Sequence, residues 1–159
     1  MNRGLRIFAL LIAAFCCATH SFAQQSLPAC TLISDAEIKQ IAGAAVQEWM
    51  FQIPRNGSAL AGGGSECELP GFTLQLDAAP VSAYKSRMKA YGDRTKFEPV
   101  SNIGDEAHYY IQDSDDVGIY GRVAKHMFVV SASAPIGQPL DAVRPRVEAM
   151  ARLVASKLK

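Results

Sequence analysis

The sequence has little of what most catalytic and metal sites are built from, with only three histidines, four cysteines and one tryptophan in 159 residues. It contains no H-E-x-x-H, C-x-x-C or G-x-S-x-G motif, the signatures of zinc proteases, redox pairs and serine hydrolases. Neither sign of charge is in marked excess, because 16 Lys and Arg face 15 Asp and Glu. A near-neutral chain has no electrostatic attraction for nucleic acid or an anionic membrane surface, so we expect neither partner.

The sequence also lacks an apolar run long enough to span a membrane. Its longest run, Ile7 to Ala18, falls short of the roughly 20 residues that a transmembrane helix needs. Two arginines precede this run and the small-x-small sequence SFA, residues 21–23, follows it, as in a secretory signal peptide. We therefore predict a signal peptide at 1–23 and a single exported domain at 24–159, periplasmic or secreted, with no stable membrane anchor after cleavage.

The cysteine count points to one crosslink. Cys16 and Cys17 lie within the predicted signal peptide and leave with it, so that Cys30 and Cys67 remain. Two cysteines in an oxidising compartment are expected to pair, and their spacing matches neither a redox motif nor a zinc site. We predict a structural disulfide between them, worth about 4 kcal/mol in the chain-entropy description.

Hydrophobic periodicity predicts an α+β domain. Ser34 with Glu37 three residues later is a capping box and begins a helix, and the segment 141–159 carries apolar residues at helical spacing. The stretch FTLQLD, residues 72–77, alternates apolar and polar residues as a half-buried strand does, and VQEWMFQI, residues 46–53, is interpreted as another strand. We expect an antiparallel sheet with helices packed on one face, in the order helix, strands, helix, strands, helix.

One cluster of polar residues leaves two interpretations open. Asp105, Glu106 and His108 fall within IGDEAHYY, residues 103–110, and His126 at the end of the next predicted strand could approach them. Imidazole with carboxylate suits transition metals, so a metal or acid–base site is one hypothesis. The other is a turn at Gly104 and Asp105 followed by a strand, in which His108 faces solvent.

Three aromatic residues are candidate contact groups for a partner, namely Trp49, Tyr110 and Tyr120. Aromatic side chains left at a surface often serve recognition, whereas those in a core serve packing. Both roles remain open for each of the three residues.

Three pieces of the sequence together suggest a family. They are C-x-L-I-S-x-x-E-I at Cys30 to Ile38, a second cysteine after a glycine-rich segment at Cys67, and V-x-x-I-G-D-E-A at Val100 to Ala107. The pattern resembles small exported bacterial proteins and lipoproteins of unknown function, in which two cysteines bracket the first helix and strands. The resemblance implies an exported α+β domain and no catalytic residue.

These observations favour a non-catalytic binding or interaction module, exported and without a cofactor, whose partner is an unknown protein or small molecule. The alternative is a metal-binding or metal-dependent hydrolytic protein that uses Asp105, Glu106, His108 and His126. A further alternative is an inhibitor of an extracytoplasmic hydrolase, for which a compact disulfide-linked domain suffices.

Overall fold

The computed structural model describes residues 28–60, 63–77, 81–91, 95–111, 116–135 and 138–159. The predicted signal peptide therefore lies outside the described residues. Within them are four α-helices: α1 (Ala29–Leu32), α2 (Asp35–Ala42), α3 (Val81–Ala90) and α4 (Arg144–Lys157). Short 3₁₀ helices occupy Gly43–Ala45, Glu48–Gln52 and Leu140–Ala142. None of the helices in the described part of the chain is long and apolar enough to cross a membrane.

Seven strands form one antiparallel sheet, so the predicted α+β class is confirmed. The strands are β1 (Asn56–Leu60), β2 (Gly64–Leu69), β3 (Phe72–Asp77), β4 (Lys96–Pro99), β5 (Glu106–Ile111), β6 (Asp116–Val123) and β7 (His126–Ser133). Their order across the sheet is β1-β2-β3-β7-β6-β5-β4. The chain thus builds one half of the sheet, crosses through α3 to the far edge, and returns until β7 pairs with β3, with Leu74 opposite Val130.

The main core lies on the face of the sheet that carries Leu74, Ile119 and Val130, which we call the inner face. Because successive side chains of a strand point to opposite faces, every second residue of each strand lies on this face. Helices α1, α2 and α4 cover it, and α4 contributes a stripe of fully buried residues at helical spacing, as its sequence predicts: Val147, Met150, Ala151 and Val154.

The opposite face carries a second, smaller core that we call the tyrosine face, made of Tyr84, Tyr110, Tyr120, Met127 and Val129. Tyr84 of α3 stacks on Tyr120 of β6 with ring centroids 4.8 Å apart. Because Tyr120 neighbours Ile119 along the strand, the two side chains point to opposite faces. The predicted packing of helices on one face therefore holds for α1, α2 and α4, whereas α3 covers the other face.

The predicted disulfide is present between Cys30 in α1 and Cys67 in β2, with Cα atoms 5.1 Å apart. It ties the first helix to the inner face, where Cys67 is fully buried. The Arg55 guanidinium strengthens the same connection, because it donates to the carbonyl oxygens of Cys30 and Ile33 and forms an ion pair with Asp35.

The prediction of a strand at 46–53 is wrong, since Glu48–Gln52 forms a 3₁₀ helix. In a strand Trp49 and Phe51 would share a face, but here Phe51 packs against the inner core and Trp49 points outward. Lys39 of α2 fixes this turn by pairing with Glu48 at 2.7 Å and by lying over the Phe51 ring, 4.7 Å from its centroid. Tertiary packing, chiefly that of Phe51 on the inner core, thus overrides the strand propensity of the segment.

Candidate functional site

The four residues of the metal hypothesis are not brought together. His108 lies opposite Tyr120 in the β5–β6 pair and so belongs to the tyrosine face. His126 lies opposite Val123 in the β6–β7 pair, and Val123 belongs to the inner core, so the two histidines sit on opposite faces of the sheet. In the part of the chain that the structure describes, no three His, Cys, Asp or Glu residues form a group that could hold a metal ion.

The carboxylate of Asp105 is engaged in hydrogen bonds that serve the fold. It accepts hydrogen bonds from the Ala124 N–H at 2.7 Å and from Arg122 Nη1 at 3.0 Å, while the Asp105 N–H donates to the Arg122 carbonyl at 2.8 Å. Ala124 has a positive φ of 50° in the β6–β7 turn. Asp105 therefore caps the β6–β7 turn rather than a turn of its own, and the strand predicted after it is β5, which begins at Glu106.

His108 is half-buried and fastens α3 to the sheet, whereas the turn interpretation has it facing solvent. The hydroxyl of Tyr84 donates to the Tyr120 carbonyl at 3.0 Å and lies 3.0 Å from His108 Nδ1. Because the single hydroxyl proton is already committed to the carbonyl, the imidazole must donate through Nδ1. Burial, followed by the charge of Glu106, raises the pKa of Tyr84 far above its ordinary value, so this hydroxyl stays protonated and is no general base.

Tyr110 and Tyr120 are buried rather than available for contact, with 8% and 2% of their surfaces exposed. The Tyr120 hydroxyl donates to the sulfur of Met127 at 3.6 Å. Desolvation raises the pKa of each phenol to about 12, so both remain neutral. Their role is core packing beneath α3, the second of the two roles that the sequence left open.

Trp49 is the predicted contact residue that the structure leaves at the surface. It is 55% exposed, and Ile53 at the end of the same turn is also 55% exposed. The indole N–H donates to the side chain of Gln47, which fixes the ring while its faces stay open to solvent. Between the 3₁₀ helix and the β2–β3 turn lies an adjoining groove, whose apolar lining is Met50, Ile53, Pro54, Leu69 and Pro70. We call this groove, together with Trp49 and Ile53, the Trp49 surface.

Sequence reasoning missed two features of these surfaces. Ile53 was placed inside a strand, although its spacing of four from Trp49 and its position before Pro54 are signals of a surface turn. Asp77 was treated as the polar end of a strand, whereas it is a buried carboxylate, 7% exposed, that pairs with Arg87 of α3. Arg87 itself is 43% exposed, but its loss would leave the buried Asp77 carboxylate without its charge partner, so the pair helps to hold α3 on the tyrosine face.

Comparison of the chain with protein-family models, with curated proteins and with solved structures gave no match. The resemblance to small exported bacterial proteins therefore stays a prediction, and the function has to be argued from the surfaces described above.

Proposed function

We propose that this protein is an exported interaction module that binds another protein through the Trp49 surface. The observation that carries the proposal is the exposure of Trp49 and Ile53. Of the large apolar side chains that the structure describes, only these two and Tyr91 are exposed, and two of the three lie on one turn. Tryptophan is among the residues most enriched in the energetic centres of protein interfaces.

The Trp49 surface is held rigidly, which favours recognition over random exposure. Phe51 anchors the turn by packing against the inner core, and the ion pair between Lys39 and Glu48 joins the turn to α2. On its far side Arg55 is bound to α1 and α2, and α1 is linked through the disulfide to the sheet. A rigid apolar anchor loses little conformational entropy on binding, so more of its contact energy appears as affinity.

Export is part of the same proposal. The Cys30–Cys67 disulfide supports it, because such bonds persist in oxidising compartments and are rare in the cytosol. Fractionation of the native host, with the N-terminus of the recovered protein determined by mass spectrometry, tests it. We expect protein in the periplasmic or secreted fraction beginning at Gln24; a chain found in the cytosol with intact residues 1–23 would contradict export.

The binding role is tested by site-specific photo-crosslinking in the native host. A photoreactive amino acid at Gln52, an exposed neighbour of Trp49 on the same turn, should give a discrete crosslinked species with a second protein. Trp49→Ala should abolish this species and Trp49→Phe should retain it, since the large ring is the proposed anchor.

The matched control places the same photoreactive group at Tyr91, an exposed aromatic position after α3 on the other side of the sheet. No species that depends on Trp49 should form there. If the crosslink at Gln52 persists in Trp49→Ala, or if the probe at Tyr91 gives the same species, the Trp49 surface is not the binding site.

A further inference from the structure

The two edges of the sheet differ in how they are protected. Strand β4, at one edge, has the sequence KFEP, and its lysine, glutamate and proline are the residues that natural proteins use to discourage edge pairing. Strand β1, at the other edge, has the sequence NGSAL, with neither charge nor proline, and is exposed along four of its five residues. Among the described residues no strand lies on its outer side.

The hairpin between β1 and β2 decides which backbone groups of β1 point outward. Leu60 pairs with Gly64, the Gly63 N–H donates to the Leu60 carbonyl at 3.2 Å, and Gly63 has a φ of 93°. This is the pattern of a three-residue hairpin loop that ends in a glycine bulge, in which the residue before the loop bonds across the hairpin. Since bonded positions alternate, Asn56, Ser58 and Leu60 bond to β2. The N–H and C=O groups of Gly57 and Ala59 then point away from the sheet.

We propose that β1 pairs with β1 of a second copy of this chain, giving a two-fold dimer with one continuous sheet. In an antiparallel register centred on Ser58, Gly57 of one copy lies opposite Ala59 of the other. These are the two residues whose backbone groups are free to bond outward, so the strand is complementary to itself. Ser58 then lies opposite Ser58 of the second copy as a closely spaced pair without backbone bonds between them.

The flanks of β1 do not oppose this pairing. Glu66 and Glu68 lie one strand further in, opposite Ser58 and Asn56, and Glu66 accepts from Gln75 of β3. Arg55 is the nearest charged residue along the chain, and two copies of it would repel if their guanidinium groups extended along the edge. Each group is instead turned back onto its own chain, where it binds the carbonyl oxygens of Cys30 and Ile33 and the carboxylate of Asp35. The pairing strand therefore brings together only uncharged, mostly small side chains. Because it is only five residues long, we expect a weak dimer that depends on protein concentration.

The first test measures the molar mass of the mature protein by sedimentation equilibrium at rising concentration. We expect a monomer–dimer equilibrium with a dissociation constant of about 1 mM or tighter. Ala59→Pro removes an N–H that points outward and should abolish the dimer while leaving the melting temperature nearly unchanged. Lys96→Ala on β4 is the control at the other edge and should leave the equilibrium unchanged. A protein that stays monomeric throughout, or an Ala59→Pro variant that still dimerises, overturns the proposal.

The second test fixes the register. Ser58→Cys should form an intermolecular disulfide under mild oxidation, because side chains in a directly opposed pair lie about 4.5–5.5 Å apart at Cβ. Lys96→Cys should not, and both variants keep the native Cys30–Cys67 bond in place. A dimer that forms without crosslinking through Ser58→Cys would overturn the β1 register, and equal crosslinking of both variants would show random collision.

Discussion

At the scale of single residues, two glycines in β6 owe their identity to the rings beside them. A Cβ atom on Gly118 would lie 2.3 Å from Cε1 of Tyr110, its partner across the β5–β6 pair. On the opposite face, a Cβ on Gly121 would lie 2.3 Å from Cζ of Phe128 in β7. Neither glycine has the positive φ that would require the residue for backbone reasons. Each face of the sheet therefore has an aromatic ring lying over a glycine of β6.

Gly118→Ala should destabilise the protein by about 1–3 kcal/mol, because the new methyl group would displace the buried Tyr110 ring. Thermal and urea unfolding of the variant measure this loss. In a Tyr110→Ala background the same substitution should cost much less, since the ring that it meets is gone. An equal loss in both backgrounds would show that the glycine is required for a reason other than the ring.

At the scale of elements, the most informative contact is the one between helices α2 and α4. The Ser34 hydroxyl accepts from the Glu37 N–H and the Glu37 side chain accepts from the Ser34 N–H at 2.8 Å, which completes the capping box of α2. The same carboxylate pairs with Lys157 in the last turn of α4 at 2.8 Å. Glu37 thus closes the end of one helix and joins it to another. Helix α3 relies instead on Tyr84 and on the Arg87–Asp77 pair.

The Glu37 contacts predict a pH dependence. Hydrogen bonding to Lys157, followed by that to Ser34, lowers the pKa of Glu37 from 4.5 to about 2. A carboxyl group with a lowered folded-state pKa stabilises the protein above its unfolded pKa, and this contribution is lost as pH falls through the folded value. The wild type should therefore melt above Glu37→Gln at pH 7, and the difference should shrink between about pH 4.5 and 2.

Glu48→Gln is the matched control for this experiment. It removes only the exposed pair with Lys39, and exposed pairs are worth about 0–1 kcal/mol. The Glu48→Gln variant should therefore melt close to the wild type across the same pH range. A Glu37→Gln difference that is constant from pH 7 to pH 2 would mean that the carboxylate charge does not stabilise the fold.

At the scale of the whole molecule, stability depends on joining distant parts of the chain. The β3–β7 pair unites the two halves of the sheet, and the disulfide spans 37 residues to bind α1 to β2. The inner core brings α4, the last helix, onto β6 and β7 and against α2. The fold depends on contacts between residues far apart in sequence, so a covalent link between two of them constrains the unfolded state effectively.

Replacing both Cys30 and Cys67 with alanine should lower the free energy of unfolding by about 3–4 kcal/mol, the loop-closure value for this separation. Urea denaturation of the double variant beside the wild type measures the change. The substitutions do not change the register of the paired strands, so the variant should still fold at low temperature. A loss below about 1 kcal/mol would indicate that the unfolded chain is already restricted in this region.

Some elements of this structure could be predicted from the sequence and others could not, and the difference has a physical cause. Patterns between residues close in sequence were sufficient to predict the capping box at Ser34, the periodic helix α4 and the alternating strand β3. The pairing of Cys30 with Cys67 followed from their number and the predicted compartment. The 3₁₀ helix at Glu48–Gln52 could not be predicted, because the packing of Phe51 on the inner core, which favours it, involves residues far away in the sequence.

What the sequence by itself determined is the capped start of α2, the periodic helix α4, the alternating strand β3 and the one covalent link. The tertiary structure alone decided that α3 covers the tyrosine face, that His108 and His126 lie on opposite faces, and that Trp49 stays exposed while Tyr110 and Tyr120 are buried. For the strand residues the physical reason is parity in a sheet, since a side chain reverses its face with each one-residue step. For α3 and for the 3₁₀ helix it is packing against elements far away in the sequence, which no local pattern specifies.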